Sequence, residues 1–245
     1  KENPGSFYGW IYITVTCMLL ALVCFFFAPI VSVPLIVLGL ALAVLQFGLY
    51  FKTVDKLFPE KTGHNVTAIK KCSGETKRRI FFNGHVDAAW EWPVNYALGG
   101  VGFESHAIIG FAGAFYYLIL SIIQLCAHSF ARPDLSTGIG KAGLWGLIFV
   151  PFWIGLYFLW NKKRVVDGAN DNLSGCYMGI ALLKMLKDEG ITLENTEIGV
   201  ILTGSEEAGL RGAKHTKASI KTFRHLSSPM TRSMTRSSSW STIAT

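Results

Sequence analysis

The chain alternates between long apolar runs and shorter polar segments. No Asp, Glu, Lys or Arg occurs from Asn3 to Phe51, and two further charge-free runs extend from Ser105 to Ala131 and from Ala142 to Asn161. Because a helix needs about 20 apolar residues to cross a bilayer, the first run has room for two crossings and each later run for one. Polar residues do not recur at helical spacing within these runs, which disfavours the buried helices of a soluble protein. The pattern predicts four transmembrane helices in two helical hairpins.

The polar segments between and after these hairpins define the predicted domain organisation. We predict a transmembrane hairpin over residues 1–51, the first part of a polar domain over 52–105, an inserted transmembrane hairpin over 106–161 and the second part of the domain over 162–214. Each polar segment alone is too short to bury much of a core. Because each hairpin crosses the membrane an even number of times, both segments emerge on the same side, where they can pack together.

Within the polar segments the pattern is that of a mixed α/β domain. Strands are predicted at HNVTAIKKC, RRIFFNGHVD and TEIGVILTG, and SEEAGLRGAK predicts a turn into a helix. A helix is also predicted from Asn172 to Asp188. Its three- and four-residue spacings are formed by Tyr177, Ile180, Ala181, Lys184 and Met185. This order of elements predicts an α/β sheet with its functional site at the carboxyl ends of the strands.

The last 31 residues, 215–245, have a different composition. They contain 14 Ser or Thr and no Asp or Glu, and they show no apolar periodicity. We predict that this tail is disordered or is the product of an interrupted reading frame.

Charge and composition then restrict localisation and partners. Half of the chain, 51%, is hydrophobic and only 16% is charged, which favours a multi-pass integral membrane protein with the lipid bilayer as a partner. Of the net charge of +7, five positive charges lie in the tail, so the basic balance does not indicate a nucleic-acid surface. Basic residues follow each hairpin, which predicts cytoplasmic polar segments. These residues are Lys52, Lys56, Lys61, Lys162, Lys163 and Arg164.

The five cysteines agree with a cytoplasmic location. No CxxC occurs, so neither a disulfide framework nor a zinc ribbon is indicated.

Three short motifs carry the candidate chemistry: GHVDAAW at 84–90, DGANDNLSG at 167–175 and TGSEEAGLRG at 203–212. Each alone has a plain structural explanation. His85 and Asp87 could form a hydrogen-bonded pair at a strand end, and Asp171 could cap the following helix. Glu206 and Glu207 could be a solvated helix start, favoured by the helix dipole.

Together and in this order, the motifs resemble those of the co-catalytic zinc aminopeptidases. That family includes bacterial leucyl aminopeptidases and, more distantly, glutamate carboxypeptidase and glutaminyl cyclases. The resemblance covers about His64 to Lys214, apart from the inserted hairpin. It implies part of a three-layer zinc-peptidase sheet domain, here combined with the four transmembrane helices.

The resemblance also implies a role for each motif residue. His85 would bind one zinc ion, and Asp87 would orient the His85 imidazole. Asp171 would bridge two zinc ions, and Glu207 would bind the second. Glu206 would be the general base, which takes a proton from the attacking water and passes it to the leaving amine.

Two departures from the family pattern bear on activity. About eighty residues, including the second hairpin, separate His85 from Asp171, where the family has a short loop. The family's remaining ligands, an aspartate and a histidine, are not recognised here, because no acid follows Glu207 and neither His215 nor His225 has a strand-end context. Two protein ligands for each of two zinc ions is fewer than the three usual at catalytic sites.

The sequence therefore predicts a membrane-anchored, zinc-dependent aminopeptidase-like metallopeptidase that acts on peptides and is truncated at its C-terminus. Truncation leaves activity open. Two alternatives remain: a non-catalytic membrane fragment that retains inherited metallopeptidase motifs, and a glutaminyl cyclase-like transferase on the same fold.

Overall fold

The computed structural model of the chain describes residues 2–128, 130–217 and 243–244. Two compact units are present. The polar unit consists of Lys1–Pro4, Glu60–Ala89 and Val166–Thr245, and the helical unit consists of Gly5–Pro59 and Trp90–Val165. The chain therefore passes from one unit to the other near residues 4, 59, 89 and 165, whereas the boundaries predicted from charge lie near 51, 105 and 161. The predicted tail lies outside the described residues except at 215–217 and 243–244.

The helical unit contains five α-helices and a short two-stranded sheet among its described residues. The helices are α1 (Ser6–Phe27), α2 (Pro29–Leu42), α3 (Pro93–His128), α4 (Gly138–Trp145) and α5 (Val150–Leu156). A π-helical turn, Ala43–Gly48, extends α2, and 3-10 turns occupy Asp55–Leu57 and Gly146–Phe149. The antiparallel strands are β3 (Trp90–Glu91) and β4 (Asn161–Val165).

Four stretches of this unit are long and apolar enough to cross a membrane. They are Ser6–Phe27, Pro29–Gly48, Pro93–Ala127 and Gly138–Leu156. The number and order agree with the two predicted hairpins. The third stretch begins at Pro93, upstream of the charge-free run at Ser105, and its helix is kinked at Gly99, where φ is +68°.

Small residues and buried hydrogen bonds join the helices of this unit. Thr14 on α1 donates to the Gly39 carbonyl of α2 at 3.2 Å, and Ser32 on α2 donates to the Ala21 carbonyl of α1 at 2.8 Å. Trp153 on α5 donates its indole N–H to a carbonyl of α3 at 2.8 Å. Backbones approach closely at small residues, and side-chain bonds between helices are typical of membrane bundles.

The polar unit is built on a four-stranded sheet with the order β1-β5-β2-β6. Its strands are β1 (Val66–Lys70), β2 (Arg78–His85), β5 (Thr196–Thr203) and β6 (Ile243–Ala244). The central strands β2 and β5 are parallel, and β1 and β6 pair antiparallel on either side. This confirms the predicted mixed α/β character of the polar segments. In the central pair His85 lies opposite Thr203, so the residues that follow both strands emerge side by side.

Helix α6 (Ser174–Asp188) packs on one face of this sheet. A Cβ added at Gly84 would lie 2.9 Å from the Cys176 backbone nitrogen, so the glycine of the GHVD motif is required for the close approach of α6 to β2. The Cys176 thiol donates to the His85 carbonyl at 3.1 Å. Close packing of the helix therefore fixes the backbone at the end of β2.

The buried face of α6 differs from the apolar periodicity that predicted the helix. Its fully buried residues are Gly175, Cys176, Gly179 and Leu186. The residues whose spacing predicted the helix are exposed: Tyr177, Ile180, Ala181, Lys184 and Met185. Cys176 lies against the backbone of β2 at Gly84 and Gly179 lies against the Val200 side chain of β5, so this part of the buried face has room only for small residues.

Candidate metal centre

His85, the last residue of β2, has the most buried side chain of the candidate site. Only 7% of this side chain is exposed. Its Nδ1 lies 2.9 Å from the main-chain carbonyl oxygen of Asp87. A carbonyl oxygen only accepts hydrogen bonds, so Nδ1 carries the hydrogen. In the neutral imidazole, Nε2 then carries the lone pair with which a histidine binds a metal ion.

Glu206 and Glu207 lie in a turn three residues beyond the end of β5. The residue before them, Ser205, has a left-handed backbone with φ of +59°. The turn is closed by the amides of Gly209 and Leu210, which donate to the Glu206 carbonyl at 2.9 and 2.8 Å. The predicted continuation into a helix is confirmed, since residues 211–217 are helical.

The carboxylate of Asp87 contacts this turn. Asp87 Oδ1 accepts from the Glu206 amide at 3.1 Å, and Oδ2 accepts from the Glu207 amide at 3.0 Å. The carboxylate is farther from His85, with 3.8 Å between Oδ1 and Nδ1. Asp87 therefore orients His85 through its main-chain oxygen and holds the glutamate turn through its side chain.

Asp171 approaches His85 from the loop that precedes α6. Its Oδ1 lies 3.0 Å from His85 Nε2, and 81% of its side chain is exposed. The peptide bond between Asp171 and Asn172 is cis. The N-cap position of α6 is Leu173, which makes no side-chain capping bond. Asp171 thus lies outside the capping position of this helix, and its carboxylate contacts the His85 imidazole.

The side chains of His85, Glu206 and Glu207 form a donor set that fits a divalent cation, and Asp171 lies beside His85. One ligand atom each from His85, Glu206 and Glu207 lies within 4.8 Å of the other two. His85 Nε2 is 3.0 Å from Asp171 Oδ1 and 3.6 Å from Glu206 Oε2. Ligands at about 2.0–2.1 Å around a tetrahedral zinc ion are about 3.4 Å apart, close to these separations. A nitrogen lone pair and several carboxylates repel one another unless positive charge lies among them.

Burial and nearby carboxylates raise the pKa values of both glutamates. For Glu206, burial is the largest cause, opposed by the positive charge of His85 and supported by Asp87 and Asp171. Burial, with the charge of Glu206 next, raises the pKa of Glu207 to about 7.

The His85 imidazole has a raised pKa as well. Burial acts to lower this pKa, but the hydrogen bond to the Asp87 carbonyl and the negative charges of Glu206, Asp171 and Asp87 together outweigh burial. The site as a whole therefore favours bound positive charge, whether a proton or a metal ion.

The structure brings together every motif residue to which a role was assigned, but no further predicted ligand among the described residues. His215 is exposed on the helical segment 211–217 and lies outside the cluster around His85. His225 lies outside the described residues.

Two residues that support the glutamate turn were not found from sequence. Arg211 is buried; its Nε donates to the Ala208 carbonyl at 2.8 Å and its Nη1 to the Glu2 carboxylate at 3.0 Å. Asn65 donates to the Gly212 carbonyl at 2.8 Å. Sequence signals for these contacts are weak, because an arginine after a turn and an asparagine before a strand are both common at surfaces.

Comparison with known protein families gives a match over part of the chain. A family model described as Peptidase family M28 matches residues 157–231. The matched stretch contains Asp171, Glu206 and Glu207, lies downstream of His85 and continues past Lys214, where the predicted α/β pattern ends. No curated protein and no solved structure matches the chain. The family match supports a relation to the co-catalytic zinc peptidases, and with it a hydrolase of the metallopeptidase class.

Proposed function

We propose that the chain is a membrane-anchored, zinc-dependent metallopeptidase of aminopeptidase type, with its polar unit on the cytoplasmic side. The observation that carries this proposal is the convergence of one buried imidazole and three carboxylates beyond the parallel strands β2 and β5. The match to Peptidase family M28, whose members are generally zinc-dependent, supports the same chemistry. The four apolar helices support the membrane anchor.

In this proposal His85, Asp171 and Glu207 would hold zinc. They would provide one nitrogen and two carboxylates, which are donor types that zinc takes in proteins. When bound, zinc supplies Lewis acidity, which polarises the peptide carbonyl and makes water more acidic. A second ion would share Asp171 and would need ligands from further residues.

Glu206 is then the general base. It lies in the same turn as Glu207, its carboxylate is 30% exposed and its Oε2 lies 3.6 Å from His85 Nε2. This position lets Glu206 take a proton from the attacking water and deliver the proton to the leaving amine. Side chains of neighbouring residues in a turn can point in different directions. Glu207 could therefore bind zinc while Glu206 transfers protons.

The test uses the whole chain purified in detergent. Zinc content is measured by mass spectrometry and hydrolysis of aminoacyl-nitroanilides is measured beside Glu206→Gln. We expect stoichiometric zinc in both proteins and a loss of about 10²- to 10⁴-fold in kcat in the variant, the range for removal of a general base. Glu75→Gln is the matched control, since Glu75 is exposed in the loop between β1 and β2.

A folded sample with neither zinc nor hydrolysis would contradict the proposal and favour a non-catalytic membrane protein. Zinc binding with cyclisation of N-terminal glutamine, and no hydrolysis, would favour the transferase alternative.

A further inference from the structure

The carboxylate of Asp87 forms its two hydrogen bonds with the backbone of one turn. Each of its oxygens accepts one amide, from Glu206 at 3.1 Å and from Glu207 at 3.0 Å. Hydrogen bonds to an ionised acceptor are stronger than neutral ones. Two such bonds from one side chain fix both the position and the direction of the turn.

The backbone before the turn is shaped for this contact. Ser205 has φ of +59°, a conformation that few non-glycine residues adopt. A left-handed residue next to turn residues directs successive amides toward a common point, which makes an anion-binding concavity. Here the anion is the Asp87 side chain, which reaches the turn from the end of the neighbouring strand β2.

The orientation of His85 does not depend on this carboxylate. The hydrogen-bond acceptor for His85 Nδ1 is the main-chain oxygen of Asp87, at 2.9 Å. Replacement of the Asp87 side chain leaves that oxygen in place. The main chain of Asp87 thus bonds to His85, and its side chain bonds to the glutamate turn.

The turn needs such support because it holds like charges close together. Glu206 and Glu207 are adjacent, and both side chains are partly buried. Repulsion between two neighbouring carboxylates favours a turn that opens toward solvent. Two backbone bonds to Asp87 oppose that opening without occupying either glutamate carboxylate.

We propose that Asp87 is a positioning residue whose carboxylate holds the Glu206–Glu207 turn through its two amides, and not through the His85 imidazole. The support of the turn by the Asp87 carboxylate does not depend on the proposed function. The consequence for zinc rests on the proposed function, because it requires Glu207 to be a ligand.

The first experiment measures hydrogen exchange by mass spectrometry on the peptide that contains residues 204–208. In Asp87→Ala we expect both amides to exchange at least about tenfold faster, as expected when charge-assisted hydrogen bonds are lost. In Asp87→Asn we expect a smaller effect, because the side chain keeps one acceptor oxygen. Asp188→Asn is the control, since Asp188 pairs with Lys184 on the exposed surface of α6. Unchanged exchange in a folded Asp87→Ala protein would overturn the proposal.

The second experiment measures zinc affinity by competition with a chelating dye. Asp87→Ala should weaken zinc binding about 10- to 100-fold, the range for groups that support metal ligands. In a Glu207→Gln background the same substitution should have a much smaller effect, because the supported ligand is already lost. An equal loss in both backgrounds would show that Asp87 acts through another residue and would overturn the proposal.

The two experiments separate this proposal from the proposed function. Exchange requires neither zinc nor activity, so faster exchange in a chain that binds no zinc would support the role of Asp87 and contradict the peptidase. Unchanged exchange in an active zinc enzyme would contradict the role of Asp87 and support the peptidase.

Discussion

Individual residues at the ends of β2 and β5 determine the chemistry available to the polar unit. His85 uses one ring nitrogen for a backbone hydrogen bond, which leaves the other for the site. Asp171, Glu206 and Glu207 were all predicted as site residues from short motifs, because each motif keeps its residue types at a fixed spacing. The partner of the Asp87 carboxylate was not predicted, because it lies 119 and 120 residues away along the chain.

Glu197, a buried carboxylate on β5 of the polar unit, makes a testable contribution to stability. Its side chain is 3% exposed and bonds to Arg79 at 2.6 Å and to Lys71 at 3.0 Å. Burial acts to raise the pKa of Glu197, but the hydrogen bonds and charges of Lys71 and Arg79 outweigh it and the pKa is lowered. A carboxyl with a lowered folded-state pKa stabilises the fold above its unfolded-state value, which is 4.5 here, and loses this contribution as pH falls through the folded-state pKa.

We therefore predict that Glu197→Gln is less stable than the parent at pH 7, by about 1–3 kcal/mol for the loss of charged hydrogen bonds. The difference should shrink as the pH falls below 4.5, where the parent's own carboxyl becomes protonated. Thermal unfolding in detergent over a pH series measures both effects, with Glu75→Gln as an exposed control. A difference that stays constant from neutral to acidic pH would refute the linkage.

At the scale of elements, the contact between α6 and β2 positions the candidate site. The helix approaches β2 at Gly84, and the Cys176 thiol bonds to the carbonyl of His85. The sequence predicted both elements with nearly correct bounds, since periodicity and turns are local signals. It did not predict which face of α6 is buried, because that depends on how near the strand backbone comes.

The close approach gives a prediction for Gly84→Ala. Its Cβ would lie 2.9 Å from the backbone nitrogen of Cys176, so the helix or the strand must shift. We expect a loss of about 1–3 kcal/mol in stability, typical of overpacking in a core. The shift should also reduce zinc affinity, because His85 is the next residue.

The matched control is Gly138→Ala on α4, where a Cβ meets no atom within 4 Å. That variant should be neutral or slightly more stable, because alanine favours a helix over glycine. Thermal unfolding and zinc competition measure both variants. Wild-type stability in Gly84→Ala would contradict the packing described here.

At the scale of the whole molecule, one chain forms two units, and each unit consists of segments that are separated in sequence. The polar unit is made from three separate segments, and the helical unit from two. The even number of candidate membrane spans between the polar segments requires these segments to lie on one side, if all four spans cross. The basic residues after each hairpin predict that this side is the cytoplasm.

Cysteine labelling tests this sidedness. Glu75→Cys, in the polar unit, and Ser136→Cys, in the loop between α3 and α4, are both exposed positions. In a background with Cys72→Ser and Cys126→Ser, an impermeant maleimide should label Ser136→Cys in intact cells and Glu75→Cys only after permeabilisation. Labelling of Glu75→Cys in intact cells would contradict the cytoplasmic assignment, and the Ser136→Cys result controls for access.

The sequence by itself determined the apolar spans and the strands and helix of the polar unit, because local hydrophobic periodicity and turn residues encode them. The four side chains of the candidate site were predicted from the resemblance of three motifs to those of the co-catalytic zinc aminopeptidases. Only the tertiary structure decided the partner of the Asp87 carboxylate, the buried face of α6 and the pairing of Glu2 with Arg211, which are 209 residues apart. Such contacts depend on which backbones become neighbours in the folded chain, and no local pattern encodes that choice.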